Sequence, residues 1–163
     1  MSFLVRKINI AKWKKIEGDY AADAITHCLK TSNNTFSVWK VDTENRKDID
    51  DAVLACITPC DLLNAIDIVI LDSKYFLENA INIIESPGRT KVEDLVNKHR
   101  DLEKINFTKL GKIASHVFDR IESDKCIRYT EGMIKDILRK AILNKRLKKE
   151  DLAEKIRNKI ECI

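Results

Sequence analysis

Ile66-Asp67-Ile68-Val69-Ile70-Leu71-Asp72 is the stretch on which the reading of this chain turns. Ile68 to Leu71 are apolar without a break, so an extended segment here has no polar side. That pattern predicts a strand covered on both faces, which in turn demands helices above and below a sheet. Working outward, Thr35-Phe36-Ser37-Val38-Trp39-Lys40-Val41 alternates cleanly and reads as a second strand, with Phe36 and Val38 on one side and Ser37, Trp39 and Val41 on the other. Residues 3–10 (FLVRKINI) read as a strand from their β-branched residues, and 81–84 (INII) as a short fourth one.

Helices fill the intervals. Residues 19–30 read as a helix capped by Asp19. A second runs from an N-cap at Asp48 to about Pro59, with Asp51 in its first turn, and a third covers 73–80. After the Ser86-Pro87-Gly88 turn, Thr90-Lys91-Val92-Glu93 fits a capping box, and 91–103, 107–122, 130–146 and 148–161 all read as helix. The expected architecture is α+β, a mixed arrangement. A small, mainly N-terminal sheet of three to four strands with helices (1–88) is followed by a helical part (89–163), all in one domain, 1–163. Helices between the first three strands allow parallel pairing.

Composition narrows the function classes. With 163 residues the chain is long enough for a core without staples. Its five cysteines (Cys28, Cys56, Cys60, Cys126, Cys162) are odd in number and irregularly spaced. They read as reduced thiols in a cytoplasmic protein rather than a disulfide framework or a zinc site. Residues 1–7 carry no secretory signal pattern, and no apolar run approaches the ~20 residues of a membrane helix, so no membrane association is expected. Four glycines, at 18, 88, 111 and 132, cannot write GxGxxG or a P-loop. GxSxG, HExxH and CxxC are also absent. His99-Arg100-Asp101 shares three letters with the catalytic loop of protein kinases, but nothing else of that signature accompanies it. No catalytic residue, cofactor or resident metal is expected on these grounds.

Three surfaces remain. Trp13, with Lys14 and Lys15 beside it, is a candidate partner-binding anchor, since tryptophan favours interface centres. A lid over a sheet edge is the plainer role. Residues 124–163 carry a net charge of +5 against −1 for the rest. Lys135, Arg139, Lys140, Arg146 and Lys149 are therefore candidate nucleic-acid contacts, with Lys135, Arg139 and Arg146 expected on one helix face. Glu150, Asp151 and Glu154 would blunt that field, and no aromatic is interleaved for stacking. Asp72, at the carboxyl end of a strand, could join Glu93 to hold magnesium for phosphodiester chemistry, although Asp72 is equally a helix cap. His27 beside Cys28 points away from it on a helix, and His116 lies along an apolar helix stripe, so neither makes a nucleophile pair. Elimination favours a non-catalytic intracellular binding protein: an inhibitor, an immunity or antitoxin-like protein, or a small subunit of a bacterial defence complex. Nucleic-acid binding through 135–149 and a small metal-dependent nuclease are the alternatives.

Overall fold

The computed structural model describes residues 2–161, with the backbone alone at 161. In chain order the elements are β1 (Phe3–Ile8), β2 (Lys15–Ile16), β3 (Asp19–Tyr20), α1 (Ala22–Cys28), β4 (Phe36–Val41), α2 (Arg46–Ile57), β5 (Ile66–Asp72), α3 (Ser73–Glu78), β6 (Ile83–Glu85), β7 (His99–Leu102), α4 (Phe107–Glu122), β8 (Cys126–Tyr129), α5 (Glu131–Leu143) and α6 (Glu154–Glu161). Short 3-10 turns stand at Ile10–Lys12, Glu93–Lys98 and Lys149–Asp151. β2 and β3 form a separate hairpin. The other six strands make one sheet in the order β6-β7-β4-β1-β5-β8.

The fold is α+β, and the sheet is larger than the sequence suggested. β7 and β8 both come from the part expected to be helical, and β7 sits between β6 and β4. The segment 91–103 is a 3-10 stretch followed by a strand, not a helix. Every neighbouring pair in the sheet is antiparallel. The helix that hinted at parallel pairing does join two strands of the same direction, β4 and β5. β1 is inserted between them, antiparallel to both.

β5 explains its own composition. Ile66, Ile68 and Ile70 enter one core with residues of α2, α5 and α6, while Val69 and Leu71 enter another with residues of α1, α3 and α4. The alternation on β4 follows: Trp39 and Val41 face the α2 layer, Phe36 and Val38 the α4 layer. No described helix is long and apolar enough to cross a membrane.

Local chemistry differs from expectation at several ends. Asn45, not Asp48, caps α2: its side chain accepts from the Asp48 amide at 2.9 Å, while Asp48 turns back to the Thr43 amide and hydroxyl. Asp19 pairs within the hairpin, and α1 starts after Ala21. The Thr90 capping box does not form. The Thr90 hydroxyl meets that of Thr58 at 2.9 Å, tying the loop to the end of α2. Three helices, α3, α4 and α5, end in the same double-bonded motif, and the left-handed residue is Ala80, Asp124 or Lys145 rather than glycine. Its signature is a six-to-one bond, as from the Arg146 amide to the Ala141 carbonyl at 2.9 Å.

β1 and β4 pair over Phe3–Val5 and Trp39–Val41 alone, then separate. Arg6 fills the gap. Its guanidinium donates to the Ser37 carbonyl at 2.7 Å and lies 4.4 Å from the Phe36 ring centroid, and its Nε is buried without a partner. Burial lowers its pKa, against the opposing influence of Cys56, Cys28 and Asp101.

Candidate functional site

The predicted basic face is largely committed to internal contacts. Lys135 pairs with Glu131 at 3.2 Å. Arg139 pairs with Asp136 and donates to the Ile160 carbonyl, fastening α6. Lys145 is left-handed and ends α5, so Arg146 leaves the line of the helix. Its guanidinium instead reaches Asp51 on α2 at 2.7 Å and Asp94 at 2.6 Å. Hydrogen bonds to these two carboxylates push its pKa further up. Lys140 is exposed, and Lys149 opens the 3-10 turn it shares with Glu150 and Asp151. The five residues therefore do not form one continuous cationic face: two of them hold α2, α5 and α6 together.

The other predicted sites resolve similarly. Trp13 is 7% exposed, inside the α4-layer core and edge-on to Tyr20. Lys14 and Lys15 are exposed, and Lys15 sits 4.7 Å above the Phe118 ring. Asp72 caps α3, accepting from the Lys74 amide at 2.9 Å, whereas Glu93 lies in the 3-10 stretch that packs against the opposite layer. Among the described residues, no group of three or more His, Cys, Asp or Glu is placed to hold a metal ion. His27 is exposed while Cys28 is buried. His116 is buried, stacked on Tyr75 at 4.0 Å, and its Nε2 accepts the Asp72 amide at 3.1 Å. Desolvation holds its pKa down at about 4, so the ring is neutral. Cys56 is raised to about 12 and Cys126 to about 11, each chiefly by burial, so neither is a ready thiolate.

Two clefts stand out instead. The wider, about 730 Å³, opens between the turn that enters β4 (Asn33, Asn34) and the loop that leads into α4 (Ile105, Asn106). Asn33 and Asn34 are both left-handed, as a tight two-residue turn requires, and Asn34 accepts the Ile105 amide at 2.9 Å, joining the walls. Asn106 caps α4 through the Lys109 amide. The cap places Phe107 at the first helical position, beyond the end of the sheet, where it is 95% exposed. Leu110, one turn on, is half-buried against the α4-side core. This is a fully solvated aromatic beside an open concavity rimmed by amide side chains.

The second cleft, about 340 Å³, lies on the α2 side of the sheet between Lys7, Ser37, Trp39, Cys56, Arg89 and His99. Trp39 and His99 are cross-strand partners, ring to ring at 5.0 Å. His99 Nδ1 meets the Ser86 hydroxyl at 2.7 Å, and Ser37 donates to Asp101 at 2.8 Å. Burial lowers the His99 pKa despite the raising influence of Asp101. Gly88 lies so close to this pair that a Cβ there would come within 2.3 Å of the Trp39 ring and 2.8 Å of the His99 Cβ. Comparison of the chain with protein-family models, curated proteins and solved structures finds no match.

Proposed function

We propose that this chain is a non-catalytic binding protein that seats another protein over the Phe107 cleft. One observation carries the reading: a phenylalanine at 95% exposure next to an open cleft of about 730 Å³. Leaving such a ring in water forgoes about 2 kcal/mol or more of burial, and aromatic side chains are the usual anchors at protein interfaces. The rim of Asn33, Asn34 and Asn106 supplies neutral donors and acceptors around an apolar centre, the ordinary anatomy of a protein-protein contact. An inhibitor, an immunity or antitoxin-like protein and a small subunit of a larger assembly all act in this way.

The test is capture from the native host with the wild-type chain and with Phe107→Asp, at low and high salt and with nuclease. The reading expects one protein in stoichiometric amount with the wild type under every condition and its loss with the variant, whose circular dichroism stays unchanged. The same protein recovered with both chains would overturn it. Nucleic acid that disappears with salt would move the proposal to residues 135–149.

A further inference from the structure

Most of the nine arginines of this protein are spoken for. Arg46, Arg100, Arg120, Arg128, Arg139 and Arg146 all have carboxylate partners. Against that background, two cations that line the same cleft, Lys7 and Arg89, have no ion-pair partner among the described residues. They come from different elements, Lys7 from β1 and Arg89 from the loop between β6 and the 3-10 stretch.

The loop that carries Arg89 is held at four points. The Ser86 hydroxyl contacts His99, Gly88 lies against the Trp39 ring, the Gly88 amide donates to the Val96 carbonyl at 2.9 Å, and Thr90 contacts Thr58. These contacts fix the backbone from which the exposed Arg89 side chain projects, which lowers the ordering cost of the loop on binding. His99 offers a third group: Nδ1 is engaged by Ser86, and Nε2 has no partner among the described residues.

The opposing charges are smaller. The C-terminal end of α2 contributes about half a negative charge. Asp101 is held by Ser37, and the buried Arg6 guanidinium behind the sheet offsets it. Two full positive charges therefore dominate the cleft. A carboxylate would answer only one of them, whereas a phosphate monoester carries about −1.5 to −2 and answers both. The volume, about 340 Å³, falls at the small end of the roughly 300–1,000 Å³ typical of small-molecule sites.

We propose that the Lys7–Arg89 cleft binds the phosphate of a small phosphorylated molecule, with His99 as a third contact. This site is separate from the Phe107 cleft and stands whether or not a protein docks there.

The two tryptophans make the test direct, because Trp39 lines the cleft and Trp13 lies in the opposite layer. The ¹⁵N-labelled protein is titrated with inorganic phosphate and with AMP, and the indole N–H resonances are followed. The expected result is a saturable shift of the Trp39 resonance with Trp13 unmoved, and no such shift with potassium chloride at equal ionic strength. Lys7→Ala and Arg89→Ala should each weaken binding about ten-fold. Lys30→Ala, an exposed lysine on the α1 side, should leave it unchanged. Absence of a saturable shift, equal response to chloride, or unchanged affinity in both cleft variants would overturn the proposal. So would tighter, steeply salt-dependent saturation by a single-stranded oligonucleotide, which would assign the cleft to nucleic acid.

Discussion

The two layers that sandwich the sheet are built from different chemistry. On the α2 side, charges tie the helices. Arg146 joins α2 to the 3-10 stretch through Asp51 and Asp94, and Lys159 reaches from α6 to Glu131 on α5 and to the Leu63 carbonyl. Arg46 stacks over Tyr129, whose hydroxyl donates to Asp50 at 2.7 Å. On the α4 side, neutral rings do the corresponding work: Tyr75, Phe76 and His116 in one group, Trp13, Tyr20 and Phe118 in another. The lesson is that one molecule carries two kinds of glue, and solution conditions should separate them. Mild acid, above the range in which carboxylates take up protons, should loosen the ring layer, and salt the charged one.

The largest effect should come from His116. Its folded pKa is held near 4, below the ordinary 6.5, so the neutral ring favours the folded state. That contribution is complete above about pH 6.5 and is lost as the pH falls toward 4, a total of at most about 3 kcal/mol. Chemical denaturation at a series of pH values should show this slope, and His116→Gln should flatten it. An unchanged slope in the variant would remove imidazole from the account. Gly88→Ala should follow, costing about 1–3 kcal/mol by forcing the loop off Trp39 and His99. A denaturant midpoint within error of the wild type would mean that the loop yields freely.

Arg146→Ala should cost about 1–2 kcal/mol, discounted because the guanidinium and its carboxylates remain partly wet. The difference from wild type should shrink in high salt, and His116→Gln should show no such dependence. Smallest are Ala80→Gly on α3 and Lys145→Gly on α5. Each relieves a left-handed non-glycine residue and should stabilise by up to about 1 kcal/mol. Because the cause is backbone conformation, thermal melts should give similar gains in both layers, which makes the pair a control for the contrast above.

The central strands were legible because their side chains had to satisfy two layers: Ile66 to Leu71 and Phe36 to Val41 carry that pattern in full. β7 was not, because His-Arg-Asp-Leu has the polarity of a helix surface. Arg100 is nonetheless buried, donating to the carbonyls of Asn97 and His99 and to Glu85. β8 offers only four residues between two helices, too short for a period to register. Phe107 was missed for a related reason. Three residues before Leu110 and six before Ile113, it completes an apolar stripe, and only the position of the helix start shows that the stripe overruns the sheet. The Lys7–Arg89 cleft joins residues more than 80 apart in sequence, and no spacing rule reaches that far.

The short β1–β4 contact divides the sheet into two ribbons, β6-β7-β4 and β1-β5-β8, with Arg6 set like a bolt in the opening. Along the chain the ribbons interleave: first one, then the other, then the first, twice the other, and the first again. A cut anywhere between β1 and β8 therefore separates strands of one ribbon. Neither ribbon can be completed by a local hairpin, so folding must close long loops before the sheet gains its contacts, which favours slow assembly. The central seam is thus no longer than the edge pairing of β6 with β7, and the two halves stay joined by the route of the chain as much as by the seam between them.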